Sequence, residues 1–142
     1  MKATFGAGCF WHVEDLLSKT KGVTSTAVGY IGGQLPNPTY EEVCTAQTGH
    51  AEAVEVEFNP DEITYEALLD IFWRNHNPTT LNRQGPDVGN QYRSAIFYHD
   101  QTQKEIAEKS KQSLDSSKSF NDPIVTQIIP APKFYNTEEY QQ

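Results

Sequence analysis

The sequence predicts an α+β protein in which helices pack on one mixed β-sheet. Three observations predict it. Residues 51–58 alternate with the two-residue period of a strand. Residues 64–75 carry an apolar face with helical spacing behind a capping threonine. Strand-like and helix-like segments follow one another without a clean run of strand–helix units, which argues against an all-parallel sheet.

Taken in order, residues 2–6 are short and partly apolar, a first strand ending at a glycine turn. From residue 9 to about 18, Phe10, Val13, Leu16 and Leu17 have the spacing of an amphipathic helix. Residues 23–30 are β-branched and aromatic and read as a second strand, broken by Gly32-Gly33. Pro36-Asn37-Pro38 keeps the following chain irregular. Residues 51–58 form a half-buried strand that ends at Asn59-Pro60-Asp61. Thr64 caps the next helix, whose apolar face is Leu68, Leu69, Ile71 and Phe72. Residues 76–92 are polar and rich in Gly, Asn and Pro. They read as one long loop, and a loop of that length with so many specific polar residues suggests function. Residues 93–99 are a strand, residues 102 to about 115 a polar-faced helix, and residues 123–129 the last strand. No repeat or linker divides the chain, so its 142 residues read as a single domain, long enough to bury a core without metal or disulfide staples.

The formal charge is -8. Backbone phosphates and anionic lipid headgroups both call for clustered Lys and Arg, so neither nucleic acid nor membrane is an expected partner. No apolar run approaches the ~20 residues of a membrane span, and Met1-Lys2-Ala3-Thr4-Phe5 does not read as a secretory signal. A cytoplasmic location follows as the expectation. Two cysteines, Cys9 and Cys44, do not make a disulfide scaffold and instead pose the question of reactive or buried thiols.

Cys9 follows a strand and two glycines and opens a helix. The N–H groups and dipole of a helix N-terminus favour an anion, which lowers a thiol's pKa and favours the reactive thiolate. A buried structural cysteine is the plainer alternative. Phe10 and Trp11 next to it suit either core packing or an apolar cup for a methyl or thioether group. Cys9 and His12 make a Cys-x-x-His, but no further ligands accompany it and no metal or other cofactor is expected.

Gly8-Cys9-Phe10-Trp11 followed by Glu14 resembles the hallmark of the A-type methionine sulfoxide reductases. The resemblance continues through Gly29-Tyr30-Ile31-Gly32-Gly33, through Thr39-Tyr40-Glu41-Glu42-Val43-Cys44 and through Gly49-His50-Ala51-Glu52. It resumes in His76-Asn77-Pro78-Thr79-Thr80, Asp87-Val88-Gly89-Asn90-Gln91-Tyr92-Arg93-Ser94 and Phe134-Tyr135, so it covers nearly the whole chain. It implies a ferredoxin-like core and the reduction of methionine-S-sulfoxide, free or in proteins, to methionine. Cys9 would attack the sulfoxide sulfur and emerge as a sulfenic acid. Glu52 would protonate the oxygen, Tyr40 and Tyr92 would hydrogen-bond it, and Asp87 would support the site through water. Phe10 and Trp11 would receive the methyl group. Gly49 and His50 would line the substrate site, His50 as an oriented residue rather than a base. His12 stands where the family usually has Gly.

Parity adds a physical reason for Glu52. It shares a strand face with Val54, Val56 and Phe58, whereas Glu55 and Glu57 point the other way. A carboxyl on an apolar face is held towards its protonated form, as a proton donor near pH 7 requires.

Many relatives carry resolving cysteines near the C-terminus, and none follows Cys44 here. Three readings stay open: a missing C-terminal piece; direct reduction of Cys9 by thioredoxin, by glutaredoxin with glutathione or by another external thiol; or internal resolution by Cys44. For Cys44, structural burial is the alternative. Two rival functions also stand: a cysteine hydrolase pairing Cys9 with His50 or His76, and a module that binds methionine-bearing peptides without catalysis.

Overall fold

The computed structural model describes residues 1–7, 10–32, 50–80, 82–84, 87–117, 122–132 and 134–136, with Phe10, Trp11, His12, Arg83, Asp87, Val88, Asn90 and Asn136 described by their backbone alone. Lys2–Ala7 forms β1, Phe10–Ser18 α1, Val23–Ile31 β2 and Ala51–Phe58 β3. Tyr65–Arg74 is α2. Arg83–Gln84 is β4, Asp87–Val88 is β5, and a 3₁₀ turn spans Asn90–Tyr92. Ser94–Tyr98 is β6, Gln101–Ser116 α3, Gln127–Pro130 β7 and Tyr135–Asn136 β8.

Among the described residues, six strands make one mixed sheet in the order β7-β6-β1-β3-β2-β8. β1 runs antiparallel to β3 and β6, and β2 antiparallel to β3 and β8. Among the described strands only β6 and β7 are parallel, joined through α3. β1-α1-β2 and β3-α2-β6 therefore interleave, which is the ferredoxin-like core expected from the resemblance.

The helices cover one face. Phe5, Val28, Val54, Val56 and Ile96 meet Val13, Leu17, Leu68, Leu69 and Phe72 there. The Phe5 and Phe72 rings stack with centroids 5.2 Å apart. Burying each such side chain contributes about 2 kcal/mol. The other face carries a second apolar cluster of Ile31, Ala51, Ala53, Ala95 and Phe97, against which Phe134 packs. This corrects the half-buried reading at residues 51–53, whereas residues 54–58 alternate between buried and half-exposed as expected. β3 lies between β1 and β2 and is covered on both sides at its N-terminal end, so Ala51 and Ala53 are as buried as Val54 and Val56.

The caps match their local chemistry. The Thr64 hydroxyl accepts from the Ala67 N–H at 3.1 Å and starts α2. Asp100 accepts from the Gln103 N–H at 2.8 Å and starts α3, one residue before the expected helix. Gln103 is itself buried, and its amide donates to the Lys2 carbonyl at 2.7 Å, tying α3 to β1.

Two further readings are corrected. Residues 76–92 are not one loop, because β4 and β5 pair as a two-residue ladder ahead of the 3₁₀ turn. The strand expected at residues 123–129 begins only at Gln127, and it is not the last. β8 returns to pair with Gly29 and Tyr30 of β2. Gly29 permits this, since a Cβ there would overlap the Tyr135 carbonyl oxygen and stand 2.8 Å from the Phe134 ring. Gly32, at φ +87°, ends β2 in the left-handed region that glycine adopts without strain. Among the described residues, no helix is long and apolar enough to cross a membrane.

Candidate active site

Four strands contribute to one row on the helix-covered face. Ser94 of β6 pairs with Ala7 of β1. The β1–β3 ladder runs to Phe5 opposite Val54, and the same register carried two residues further would set Ala7 opposite Glu52. Glu52 in turn pairs with Tyr30 of β2. Strands stand about 4.8 Å apart, so two strand spacings, about 10 Å, separate Ser94 from Glu52, with the Ala7 position between them. Ser94, Glu52 and Tyr30 are buried, and Ala7 is partly open. α1 begins three residues beyond Ala7, at Phe10.

Glu52 is 2% exposed and stands on the same strand face as Val54 and Val56. Glu55 and Glu57 lie on the opposite face, where they pair with Lys2 at 3.6 Å and with the N-terminal ammonium at 3.5 Å. Three glutamates within six residues thus occupy two environments, one dry and one wet. Tyr92 ends the 3₁₀ turn that packs against β3, and it is half-buried. His50, immediately before β3, is 1% exposed. The edge of its ring meets Tyr135 with centroids 5.5 Å apart. Asp87 lies on β5, and Phe10 and Trp11 open α1, with their side chains outside the described residues. Cys9, Tyr40, Cys44 and Gly49 fall outside the described residues altogether.

A second polar group adjoins the row. His76 follows α2 and bridges the helix end to the sheet. Its Nδ1 is 2.6 Å from the Phe72 carbonyl and its Nε2 is 2.7 Å from the Ser94 hydroxyl. Ser94 Oγ is also 2.7 Å from Thr126 Oγ1. Burial pushes the imidazole down to about 4, partly countered by the Phe72 carbonyl, so the ring is neutral at pH 7. A carbonyl only accepts, which places the single ring proton on Nδ1 and leaves Nε2 as an acceptor. The chain of donors is then fixed: Thr126 O–H to Ser94, Ser94 O–H to His76, His76 Nδ1–H to Phe72. Arg93, one residue before Ser94, is buried on the opposite face and donates Nε to the Gln127 amide at 3.1 Å. Desolvation lowers its pKa.

The sequence reading did not place Tyr30, Ser94 or Thr126 at the site. Tyr30 and Ser94 look like ordinary strand residues, and only strand pairing brings them into one row with Glu52. The available signal was parity, since position 94 shares a face with the core residue Ile96.

Fold and row together define a class: a ferredoxin-like α+β protein with a buried acid at the strand ends from which the chain passes through a cysteine into its first helix. Comparison with known proteins makes the class specific. The family described as peptide methionine sulfoxide reductase matches residues 1–142. The chain is 63% identical over 141 residues to a peptide methionine sulfoxide reductase MsrA of Methanothermobacter thermautotrophicus, covering 99% of this chain and 83% of that protein. It superposes on the crystal structure of reduced Mxr1 from Saccharomyces cerevisiae with a TM-score of 0.93 and 37% identity, covering 100% of this chain and 82% of that one. Mxr1 in complex with Trx2 matches with a TM-score of 0.72 and 27% identity over 99% of this chain and 82% of that one. The chain belongs to the peptide methionine sulfoxide reductase family, an enzyme family.

Proposed function

We propose that this chain reduces methionine-S-sulfoxide, free or within proteins, by the chemistry of its family, and so repairs oxidised methionine. The Cys9 thiolate attacks the sulfoxide sulfur while Glu52 delivers a proton to the oxygen. Oxygen passes to the Cys9 sulfur, methionine leaves, and Cys9 becomes a sulfenic acid. Two external thiols then return it to the thiol, forming their own disulfide and water. Tyr40 and Tyr92 hold the oxygen, Asp87 supports the site through water, and Phe10 and Trp11 receive the methyl group. Gly49 and His50 line the same cleft.

The observation that carries this reading is the burial of Glu52 on the apolar side of β3, in one row with the end of β1 that leads to Cys9. Removing a carboxylate from water favours the neutral acid, the form able to donate. Ala7, at the end of β1, is itself partly exposed. For the recycling thiol, the Mxr1–Trx2 complex supports a thioredoxin as the external reductant.

The test is turnover of the separated S and R epimers of a blocked methionine sulfoxide with dithiothreitol, using wild type and Cys9→Ser. Reduction of the S epimer alone, and by wild type alone, is expected. Equal reduction of both epimers, or activity in Cys9→Ser, overturns the assignment.

A further inference from the structure

The hydrogen-bonded chain Thr126–Ser94–His76 belongs to none of the groups placed in the reaction, yet it ends in the same strand row as Glu52. Each of its links is short: 2.7 Å from Thr126 to Ser94, 2.7 Å from Ser94 to His76 and 2.6 Å from His76 to the Phe72 carbonyl. It joins three separate places, the residue just beyond the cap of α2, the first residue of β6 and the segment leading into β7. Phe72 and Trp73 hold the imidazole from the side, with ring centroids 4.2 Å and 6.4 Å from its own. Lys111 of α3 donates to the Thr126 carbonyl at 3.0 Å and anchors the far end.

Ser94 is the register partner of Ala7, and Cys9 is two residues further along the chain. The backbone of β1 at Ala7 has β3 on one side, with Glu52, and β6 on the other, with Ser94. The position of the β1 end relative to Glu52 is therefore set in part by how firmly β6 is held. A serine alone at a strand start has three rotamers and a free hydroxyl. Here its hydroxyl is committed on both sides, as donor to His76 and as acceptor from Thr126.

We propose that His76 is a positioning residue for the reaction, holding Ser94 and through it the end of β1 that carries Cys9. The inference rests on Cys9 being the nucleophile. His76 touches no substrate in this role. It acts by withholding freedom from the strand that delivers the thiol, since near-attack geometry is sensitive to displacements of about 1 Å.

The experiment uses the full chain and a peptide containing methionine-S-sulfoxide, without reductant, so that one methionine is released per Cys9 oxidised. His76→Asn keeps an amide donor for the Phe72 carbonyl but cannot reach Ser94. It is expected to slow the first turnover at saturating peptide on the order of tenfold, the effect of one buried hydrogen bond. The half-saturating peptide concentration should stay within about twofold. It should also shift the pH midpoint of Cys9 alkylation by iodoacetamide, read by mass spectrometry of the Cys9 peptide. His76→Gln, which restores an acceptor near Nε2, should recover most of the rate. Thr126→Val, which keeps the shape and removes only the far hydroxyl, should give a smaller loss in the same direction and keeps the test open if His76→Asn does not fold. A lower Tm in these variants with unchanged first-turnover rate and unchanged alkylation profile overturns the positioning role. A wild type that releases no methionine fails the functional reading, and this inference with it. A working wild type matched by its variants fails this inference alone.

Discussion

Glu52 faces Tyr30 across neighbouring strands on the helix-covered side of the sheet, and 2% of its surface is exposed. Glu55, three residues along the same strand, faces the other way and pairs with Lys2. One strand thus holds a carboxyl built for water and another kept from it.

Replacing Glu52 by Gln preserves shape and removes the proton that the proposed reaction transfers. A positioned general acid contributes about 10²–10⁴ in rate. The first-turnover rate of Glu52→Gln is expected to fall by at least ~10², with peptide binding largely kept. Glu55→Gln should lie within about twofold of wild type. If the two substitutions had equal effects, burial on the apolar face would not be what matters.

Acid should weaken the fold through His76. Its native pKa is lowered to about 4 from the ordinary 6.5. The unfolded chain therefore binds the proton more readily between these values, and stability falls as pH drops from 6.5 to 4. The neutral ring contributes its full share above pH 6.5, and the loss is complete below pH 4. A shift of this size corresponds to about 3 kcal/mol. Denaturant midpoints followed from pH 7 to pH 4 should show a shallower decline in His76→Gln than in wild type.

Gly29 lets β8 approach β2. In Gly29→Ala the added methyl would meet the Tyr135 carbonyl and the Phe134 ring. Overpacking of this kind costs about 1–3 kcal/mol, which lowers Tm by several degrees in a chain of this size. Amide exchange at Tyr135 should quicken in step. An unchanged Tm with protected β8 amides would show that the tail shifts without strain.

Thr64→Ala separates stability from activity. It removes the hydroxyl that accepts from the Ala67 N–H, a loss of about 1 kcal/mol. A modest fall in Tm with unaltered turnover is expected. A matching fall in turnover would mean that the start of α2 communicates with the site.

Local signals and distant pairings were unequally legible in the sequence. Thr64 followed by a helical apolar face is a self-contained pattern, and α2 was found with its cap. β3 is legible because alternation at residues 51–58 needs no partner to be seen. Its degree of burial was misjudged, because small apolar residues at Ala51 and Ala53 do not say whether the second face is covered, and only Phe97, Ile31 and Phe134 show that it is. β4, β5 and β8 are two-residue strands, below the length at which periodicity exists. The burial of Glu52 could be approached by parity, but its neighbours Tyr30 and Ala7 depend on register, a long-range property. His76 stands out in the sequence as a candidate base and as the start of a family-like segment, but its link to Ser94, 18 residues away, is a tertiary contact that no local pattern announces.

The row of Ser94, Ala7, Glu52 and Tyr30 has a consequence for how the protein matures. Its members come from strands that are neighbours in space but spread over most of the sequence, and each of the central strands has a partner distant in the chain. Nearly all the loop-closure entropy must be overcome before the row exists. A chain emerging during synthesis can form α1 early, yet it cannot assemble this row until β6 has been made. Recovery of catalysis after denaturation should therefore coincide with the final, global folding phase and never precede it.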